Sequence, residues 1–397
     1  MISPFPPSTA TPGDGRIVAT LTPNGEPSLG TVSYQYPLKL IAPATGAGVG
    51  TLGRVGAPAA TAANKDGHET DPARRRSSLV FMLSYGGGLV AGDQVNLRIE
   101  VQAGSRLSLV TQGTTKVFKA TGAGRAAPVA VPTRQNLTVD VAPGAGLCLL
   151  PDPVQPFAES LYEQVQVVRL DERGVDGVDK TAPSLCLLDW VTQGRAARGE
   201  NWSFTSWKGR NEVWLATGDA VRDDSGGRTT VAGTKPIPHR NRLLVRDAVM
   251  LAHVYLDSGV APLPPSTGTE GTALRDSLQG LAVVGTLILR GPLVDAAGVF
   301  FLAEFAALPR LGGRDFRDTN TPEPTADKVS LDAWRAERLR LEAAHGVLWS
   351  AAAVRGCVVV KFGARSVEGG RLWVGAMLQR EGSVAAAFGE EALMCVK

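Results

Sequence analysis

The chain has few residues of the kinds that form disulfides or bind metals tightly, with four cysteines and four histidines among 397 residues. The cysteines lie far apart and form no Cys-x-x-Cys pair, which excludes a disulfide framework and a zinc knuckle. Apolar runs fall far short of the ~20 residues that cross a bilayer, and the first residues show no signal-peptide pattern. We therefore expect a cytoplasmic protein with reduced thiols and no membrane partner.

A strong charge of either sign is also absent, since 41 Lys and Arg residues accompany 38 Asp and Glu residues. The longest basic run, at 74–76, is too short to form a phosphate-binding stripe, so we expect no nucleic-acid partner. Aromatic residues make up only 6% of the chain, whereas there are 46 glycines and 26 prolines. This excess of turn-forming residues favours many short strands over long helices.

A strand pattern with an internal repeat occupies the first half of the chain. Apolar and polar residues alternate over 94–102, and the segment 96–101 aligns with 136–141 at an offset of 40 residues. A third, looser copy has strands at 164–170 and 185–188, the latter trailing its counterpart by 38 residues. Repeats of this size predict strand pairs that stack on one another. The alternative is coincidence among short alternating strands.

We therefore predict a mainly β protein, a layered β-helix-like or sandwich scaffold of stacked strand pairs with one or two C-terminal helices. Residues 1–33 are expected to be an N-terminal extension, partly disordered. The scaffold is expected to span 34–310, with low-complexity insertions at 42–76 and 259–273. A linker and a helical and strand segment packed on the scaffold would follow at 311–397.

Helical spacing is confined to the later part of the chain. Leu331, Trp334, Leu339 and Leu341 recur among charged residues after Asp327, which indicates an amphipathic helix. A second helix is predicted over 294–308, where alternation is absent. We expect the apolar residues of this second helix, for instance Phe301, to be exposed and to contact a partner protein.

A glycine-rich segment, 86–93, has the composition of a phosphate-binding loop but not its context. It lacks the Gly-Lys-Ser/Thr ending, and the residues after Asp93 alternate as a strand. Its glycines are more consistent with a tight corner or a close approach of two backbones. A small-molecule enzyme that binds phosphate with this loop stays open as an alternative, as does a purely structural β-solenoid.

Polar or proline-rich segments end the strands of each repeat, at 111–116, 150–157 and 189–195. If the repeats stack, one side of the layers collects acidic and hydroxyl side chains: Asp93, Thr114, Asp152, Asp189 and Glu200. Cys148 and Cys186 occupy matching positions in adjacent repeats. Their thiols are either buried small hydrophobes or a redox or soft-metal pair.

Four motifs taken together resemble the urease accessory proteins of the UreD (UreH) family in order and spacing. They are Gly-Gly-Leu-Val-Ala-Gly-Asp, Thr-Thr-Lys-Val-Phe, Leu-Pro-Asp-Pro, and the pair Gly-Arg and Arg-Gly-Glu. Ala91 departs from the family pattern, in which glycine is commoner. The motif positions are Gly87, Gly88, Gly92 and Asp93; Thr114, Thr115 and Lys116; Pro151, Asp152 and Pro153; and Gly194, Arg195, Gly199 and Glu200.

The resemblance implies a scaffold without enzymatic activity. Such proteins assemble with a helical accessory protein (UreF-like) and a GTPase (UreG-like), dock on the urease apoprotein and help to deliver nickel. No tightly bound cofactor is expected, because the chain has few imidazole or thiolate ligands and nickel in transit needs ligands that release it. We expect Glu200, then Asp93, then Asp152 to contact nickel in transit. Their alternative roles are local, in turns or ion pairs.

Overall fold

The computed structural model describes residues 11–43, 76–120, 131–172, 182–217, 240–252, 272–308 and 326–397. Their strands form two large β-sheets. The first sheet has seven strands in the order β14-β13-β11-β8-β5-β1-β2. These strands are β1 (Asp14–Leu21), β2 (Pro27–Tyr34), β5 (Gln94–Val101), β8 (Thr133–Val141), β11 (Leu161–Asp171), β13 (Ser206–Thr217) and β14 (Arg240–Ala252).

The second sheet has ten strands, eight of them in the order β16-β17-β15-β12-β9-β6-β4-β3. Two short strands, β7 and β10, lie off this path and pair with each other, and β10 also pairs with β12. The strands are β3 (Leu38–Ile41), β4 (Ser78–Ser84), β6 (Arg106–Val110), β7 (Thr115–Val117), β9 (Gly146–Leu149), β10 (Val154–Pro156), β12 (Ser184–Thr192), β15 (Val283–Arg290), β16 (Leu348–Val354) and β17 (Cys357–Ala364).

The chain alternates between the sheets, so that β5, β6 and β7 form one turn of a β-helix and β8, β9 and β10 form the next. Asn96 pairs in parallel with Asn136, and Leu107 with Leu147, which is the offset of 40 expected from the sequence. Leu185 pairs with Leu147 at an offset of 38. The predicted fold class, a mainly β scaffold of stacked strand pairs, is therefore confirmed.

Aliphatic side chains fill the space between the two sheets. Inward-facing residues of successive turns, such as Leu97, Leu137 and Leu107, are at most 2% exposed. This first core is built from the same positions of each turn, because alternation places every second side chain of a strand inside. The first core is therefore a product of the repeat.

A second core lies on the other face of the second sheet, where helices cover it. Helix α1 (Thr272–Ser277) packs Leu274 against the first core, and the helices that cover the second core are α2 (Asp295–Ala306), α3 (Ala326–His345), α4 (Val367–Glu381) and α5 (Ser383–Phe388). The predicted helices at 294–308 and after Asp327 correspond to α2 and α3. The helices α4 and α5 are additional.

The expectation that Phe301 is exposed is wrong. Phe301 has no exposed surface and packs in the second core against Trp349 and Trp373, at ring-centroid distances of 6.4 and 6.2 Å. On the same helix it is Val299 that faces outward, with 67% of its surface exposed. The buried residues of α2 are Ala297, Gly298, Phe301 and Glu304, a spacing that follows the helical period of 3.6 residues and therefore produces no alternation.

The N-terminal boundary also differs from the expectation. Residues 14–33, assigned to a partly disordered extension, contain β1 and almost all of β2 in the first sheet, and β1 pairs in parallel with β5. A bulge between Val18 and Ala19 shifts the register and places three consecutive buried residues in β1, which interrupts the alternation that marks a strand. Residues 1–10 and most of both predicted insertions lie outside the described residues.

Candidate functional site

The four motif segments meet on the narrow third side of the β-helix. There β7 runs parallel to β10, with Val154 opposite Thr115. A bridge between Leu89 and Val117 joins the glycine-rich segment to β7, and Val154 pairs with Val191 at the end of β12. Stacking of the turns therefore brings the motifs together, as the repeat predicts.

The glycine-rich segment is a tight corner that leads into β5. A Cβ atom on Gly88 would lie 2.5 Å from Cε2 of Phe118 and 2.9 Å from the carbonyl oxygen of Lys116, so only glycine lets this loop pack on β7. Gly87 and Gly92 have φ angles of 77° and 82°, in the left-handed region. Oδ2 of Asp93 accepts a hydrogen bond from the Val90 amide at 2.8 Å. The loop precedes a strand and not a helix, so it is not a phosphate loop of the dinucleotide or Walker type.

Asp152 lies between its two prolines and is buried. Its Oδ2 accepts from Thr111 Oγ1 at 3.1 Å and from the Gly113 amide at 2.8 Å, and its Oδ1 accepts from Nη2 of Arg371 at 2.6 Å. The flanking carbonyls also accept hydrogen bonds, Pro151 from Trp190 Nε1 and Pro153 from the Thr115 amide. Asp152 thus joins two turns of the β-helix to α4.

Glu200 forms a bidentate contact with Arg195. The Arg195 backbone amide donates to Oε2 at 2.9 Å, while its Nε donates to Oε1 at 2.8 Å and its Nη2 contacts the same oxygen. Burial opposes ionisation, but these hydrogen bonds outweigh it and hold the pKa of Glu200 below its ordinary value. The guanidinium also stacks 3.9 Å above the Phe157 ring. Gly194 and Gly199, with φ of 108° and 75°, turn the chain around this pair.

The remaining threonines and lysine of the motifs lie at the start of β7. Thr114 Oγ1 donates to Oε1 of Gln155 at 3.3 Å, and Nε2 of Gln155 donates to the Gly194 carbonyl at 3.2 Å, which links all three turns. Lys116 is exposed, and Thr115 is half-buried.

A second polar cluster lies inside the first core, and the sequence reasoning found only one member of it. Asp189 on β12 accepts from Asn211 Nδ2 at 2.7 Å and from Gln164 Nε2 at 2.9 Å. Burial raises the pKa of Asp189, and the nearby carboxylate of Asp247 raises it further. The signal that could have revealed Gln164 is its position, because alternation along β11 assigns it to the buried face.

A cavity of about 480 Å³ adjoins this cluster between the splayed ends of the two sheets. Asp189, Thr286 and Lys361 contribute polar groups to its wall, and most of the remainder is apolar. Nζ of Lys361 donates to Thr286 Oγ1 at 3.0 Å and contacts Oδ1 of Asp247. The ammonium group therefore has a counterion at the cavity wall.

Asp93, Asp152 and Glu200 each have separate hydrogen-bond partners, which are the Val90 amide, Arg371 and Arg195 respectively. Within the described ranges, no group of three or more His, Cys, Asp and Glu side chains is placed to hold a metal ion. Cys148 and Cys186 are register neighbours, as expected, and both are buried in the second core. Burial and the adjacent Cys186 thiol raise the pKa of Cys148, which keeps it protonated and favours its packing role.

Comparison with known proteins identifies the fold family. A family model described as UreD urease accessory protein matches residues 14–395. Urease accessory protein 4 of Cryptococcus neoformans is 33% identical over 225 residues, which are 53% of this chain and 59% of the fungal protein. Urease accessory protein UreD of Sorangium cellulosum is 36% identical over 247 residues, 56% of this chain and 70% of that protein.

A third relative extends the similarity over most of the chain. The uncharacterized urease accessory protein ureD-like of Schizosaccharomyces pombe is 26% identical over 342 residues, 85% of this chain and 83% of its own length. The predicted family is confirmed, and with it the prediction of an accessory factor rather than an enzyme. The chain belongs to the UreD family of urease accessory proteins.

Proposed function

We propose that this chain is a urease maturation factor, a scaffold that docks on the urease apoprotein together with a UreF-like helical protein and a UreG-like GTPase. The observation that supports this best is the family match, which covers residues 14–395 and therefore includes both sheets and the helical layer. Among the described helices, none is long and apolar enough to span a membrane. We propose the cytoplasm as its compartment.

Nickel is the cargo in this proposal, not a resident cofactor. Glu200, Asp93 and Asp152 are the carboxylates we propose to contact it in transit. A nickel ion has to displace Arg195 from Glu200 and Arg371 from Asp152, because these guanidinium groups already contact the carboxylates. At Asp93 only Oδ2 has a hydrogen-bond donor among the described residues. Asp93 is therefore the carboxylate with the freest oxygen, and Glu200 and Asp152 act only if their arginines move.

The experiment uses co-expression of the full chain with urease and its accessory proteins at limiting nickel. We expect Glu200→Gln and Asp93→Asn to retain the accessory complex in a pull-down while lowering the nickel content and activity of urease. Glu100→Gln is the matched control, since Glu100 pairs with Arg16 on the outer face of the first sheet and belongs to none of the motifs. Wild-type nickel loading by both variants would contradict the nickel route, and normal urease activation without this chain would contradict the maturation role.

A further inference from the structure

A groove beside the glycine-rich corner carries positive charge, and no acidic side chain of the part of the chain that the structure describes lines it; Asp152, behind Thr111 and Gly113, is paired with Arg371. The volume of the groove is about 430 Å³, and it separates the end of the β3–β4 pair from the segment before β7. We call it the lysine groove. It is lined by Lys39, by 82–87 and by 111–116, a set with two lysines and no acidic residue.

The two lysines of the groove differ from the other lysines of the structure. Six lysine side chains are described, and four of them form ion pairs: Lys119 with Glu159, Lys208 with Glu163, Lys361 with Asp247 and Lys397 with Glu390. Lys39 and Lys116 form none with the carboxylates that the structure describes. An unpaired cation costs little in water, but two in one groove create a local positive potential.

The walls add hydrogen-bonding groups that suit an oxyanion. Ser84, Tyr85 and Thr115 bring hydroxyl groups to the lining, whereas the hydroxyls of Thr111 and Thr114 already donate to Asp152 and Gln155. Gly86 and Gly87 have φ of 68° and 77°, and a Cβ on either would meet no atom within 4 Å. Their backbone is therefore open toward solvent, so that an extended ligand can approach the main chain closely.

The rim is aromatic. The Lys39 ammonium lies 5.5 Å from the centre of the Tyr85 ring, and the Tyr36 ring lies 5.8 Å from Tyr85. Tyr36 and Tyr85 expose 60% and 40% of their surfaces. Exposed tyrosines beside cations are typical of protein contact surfaces, where the ring packs on apolar groups and the hydroxyl donates or accepts hydrogen bonds.

We propose that the lysine groove binds an acidic segment of a partner protein, whose carboxylates pair with Lys39 and Lys116. Charge complementarity assigns the sign of the segment, and the adjacent tyrosines extend the contact beyond the size of a small anion. The glycine-rich corner then shapes a protein-binding surface. This inference is independent of nickel transfer, because it concerns binding alone.

The test measures binding of a fluorescently labelled oligoglutamate peptide to the full chain by anisotropy, without nickel. We expect the combined variant Lys39→Gln and Lys116→Gln to bind about tenfold more weakly. The control is Lys119→Gln with Lys208→Gln, which removes the same net charge from lysines that already have partners. We expect the control to change affinity less than about twofold, and added salt to weaken wild-type binding.

Several results would overturn the proposal. One is an equal loss of affinity in the groove variant and the control, which would mean that net charge alone attracts the peptide. Another is equal binding of an oligoglutamine peptide. A third is complete displacement of the peptide by inorganic phosphate at a concentration where free glutamate has no effect, since the groove would then be a small-anion site. If the double variant lost its circular dichroism signal, Lys116→Gln alone, at an exposed position, would decide the same question.

Discussion

The two cores of this protein differ in composition and in origin. The first core, between the sheets, is mainly aliphatic, and its aliphatic members come from equivalent positions of successive turns; its aromatic members are Tyr162, Trp202, Phe204 and Trp207. The second core, between the second sheet and the helices, gathers four tryptophans and several phenylalanines from distant parts of the chain. The strand β12 belongs to both, because Leu187 faces the first core and Trp190 the second.

The two cores are specified by the sequence in different ways. In the first core, each turn places aliphatic residues at the same positions as the turn before it. The short-range sequence pattern is therefore sufficient to specify the aliphatic part of this core. In the second core, Glu304 on α2 contacts Arg335 and Arg338 on α3, and Glu342 on α3 accepts from the Trp349 and Trp373 indoles at 2.9 and 3.0 Å. Those contacts join helices that no local pattern brings together. The second core is therefore specified by buried ion pairs and aromatic packing, and not by a repeated sequence pattern.

Removing an aromatic ring from the second core should have the largest effect. We expect Phe301→Ala to lower the free energy of unfolding by about 3–5 kcal/mol, and Val299→Ala on the exposed side of the same helix to change it by less than about 0.5 kcal/mol. Denaturant unfolding followed by circular dichroism and by tryptophan fluorescence measures both. Because β12 is shared, the two probes should report one transition. Two separate transitions would show that the cores are independent.

Removing a buried charge from the second core should have the second-largest effect on stability. Glu304→Gln leaves Arg335 and the fully buried Arg338 without a counterion on α2, so we expect a loss of roughly 3 kcal/mol. The comparison variant is Glu337→Gln, whose exposed pair with Arg340 contributes at most about 0.5 kcal/mol. Chemical denaturation measures the free energy of unfolding of both variants. Equal stability of the two variants would mean that the buried network does not hold the helices.

In the first core, the buried carboxylate should give a smaller, pH-dependent effect. The pKa of Asp189 is raised in the folded state, so its favourable contribution is complete at low pH and is lost as pH rises through the folded pKa. We therefore expect the melting temperature of Asp189→Asn, relative to wild type, to increase from pH 4 toward neutral pH. Asn136→Ala, which removes no titratable group, should show no such trend. A pH-independent difference for Asp189→Asn would contradict this assignment.

The smallest effect is expected on the outer face of the first sheet. Asn136 Nδ2 donates to Asn96 Oδ1 at 2.9 Å between neighbouring turns. Because the bond is exposed, Asn136→Ala should cost less than about 1 kcal/mol, and Gln102→Ala, at an exposed position outside this ladder, should cost still less. Thermal unfolding compares them. A loss above that of Glu304→Gln would mean that the exterior ladder, and not the interior, specifies the stacking.

The sequence predicted the first core well and the second poorly, for a physical reason. Offsets of 40 and 38 residues are visible because alternation and repetition are local. Helix α4 has a Ser366 cap and a C-terminal Gly382, but the glycines inside it disfavour helix in isolation. They are required by packing, since a Cβ on Gly375 would lie 1.9 Å from the Val396 carbonyl oxygen. In α4, tertiary packing therefore outweighs the low helix propensity of the glycines.

The candidate site shows the same division. The local contact of Glu200 with Arg195 and the turn contact of Asp93 follow from short spacings, and both were weighed from the sequence. The contact of Asp152 with Arg371 spans 219 residues, and that of Asp189 with Asn211 depends on two different sheets. Sequence spacing alone gives no information about such distant pairs. The one signal for the Asp189 cluster in the sequence was a polar residue, Gln164, on the buried face of β11.

The backbone carbonyls at the end of α5 accept hydrogen bonds from side chains that lie about 300 residues earlier in the sequence. Arg76 Nη1 donates to Ala386 and Arg106 Nη1 to Ala387, while Ser77 donates to Phe388, across 310, 281 and 311 residues. At a synthesis rate of roughly 5–20 residues per second, these donors wait on the order of tens of seconds for their acceptors. During that interval α5 cannot yet cover β6 of the second sheet. The part of the second core that contains Val384, Ala387 and Phe388 therefore forms only after α5 has been synthesised.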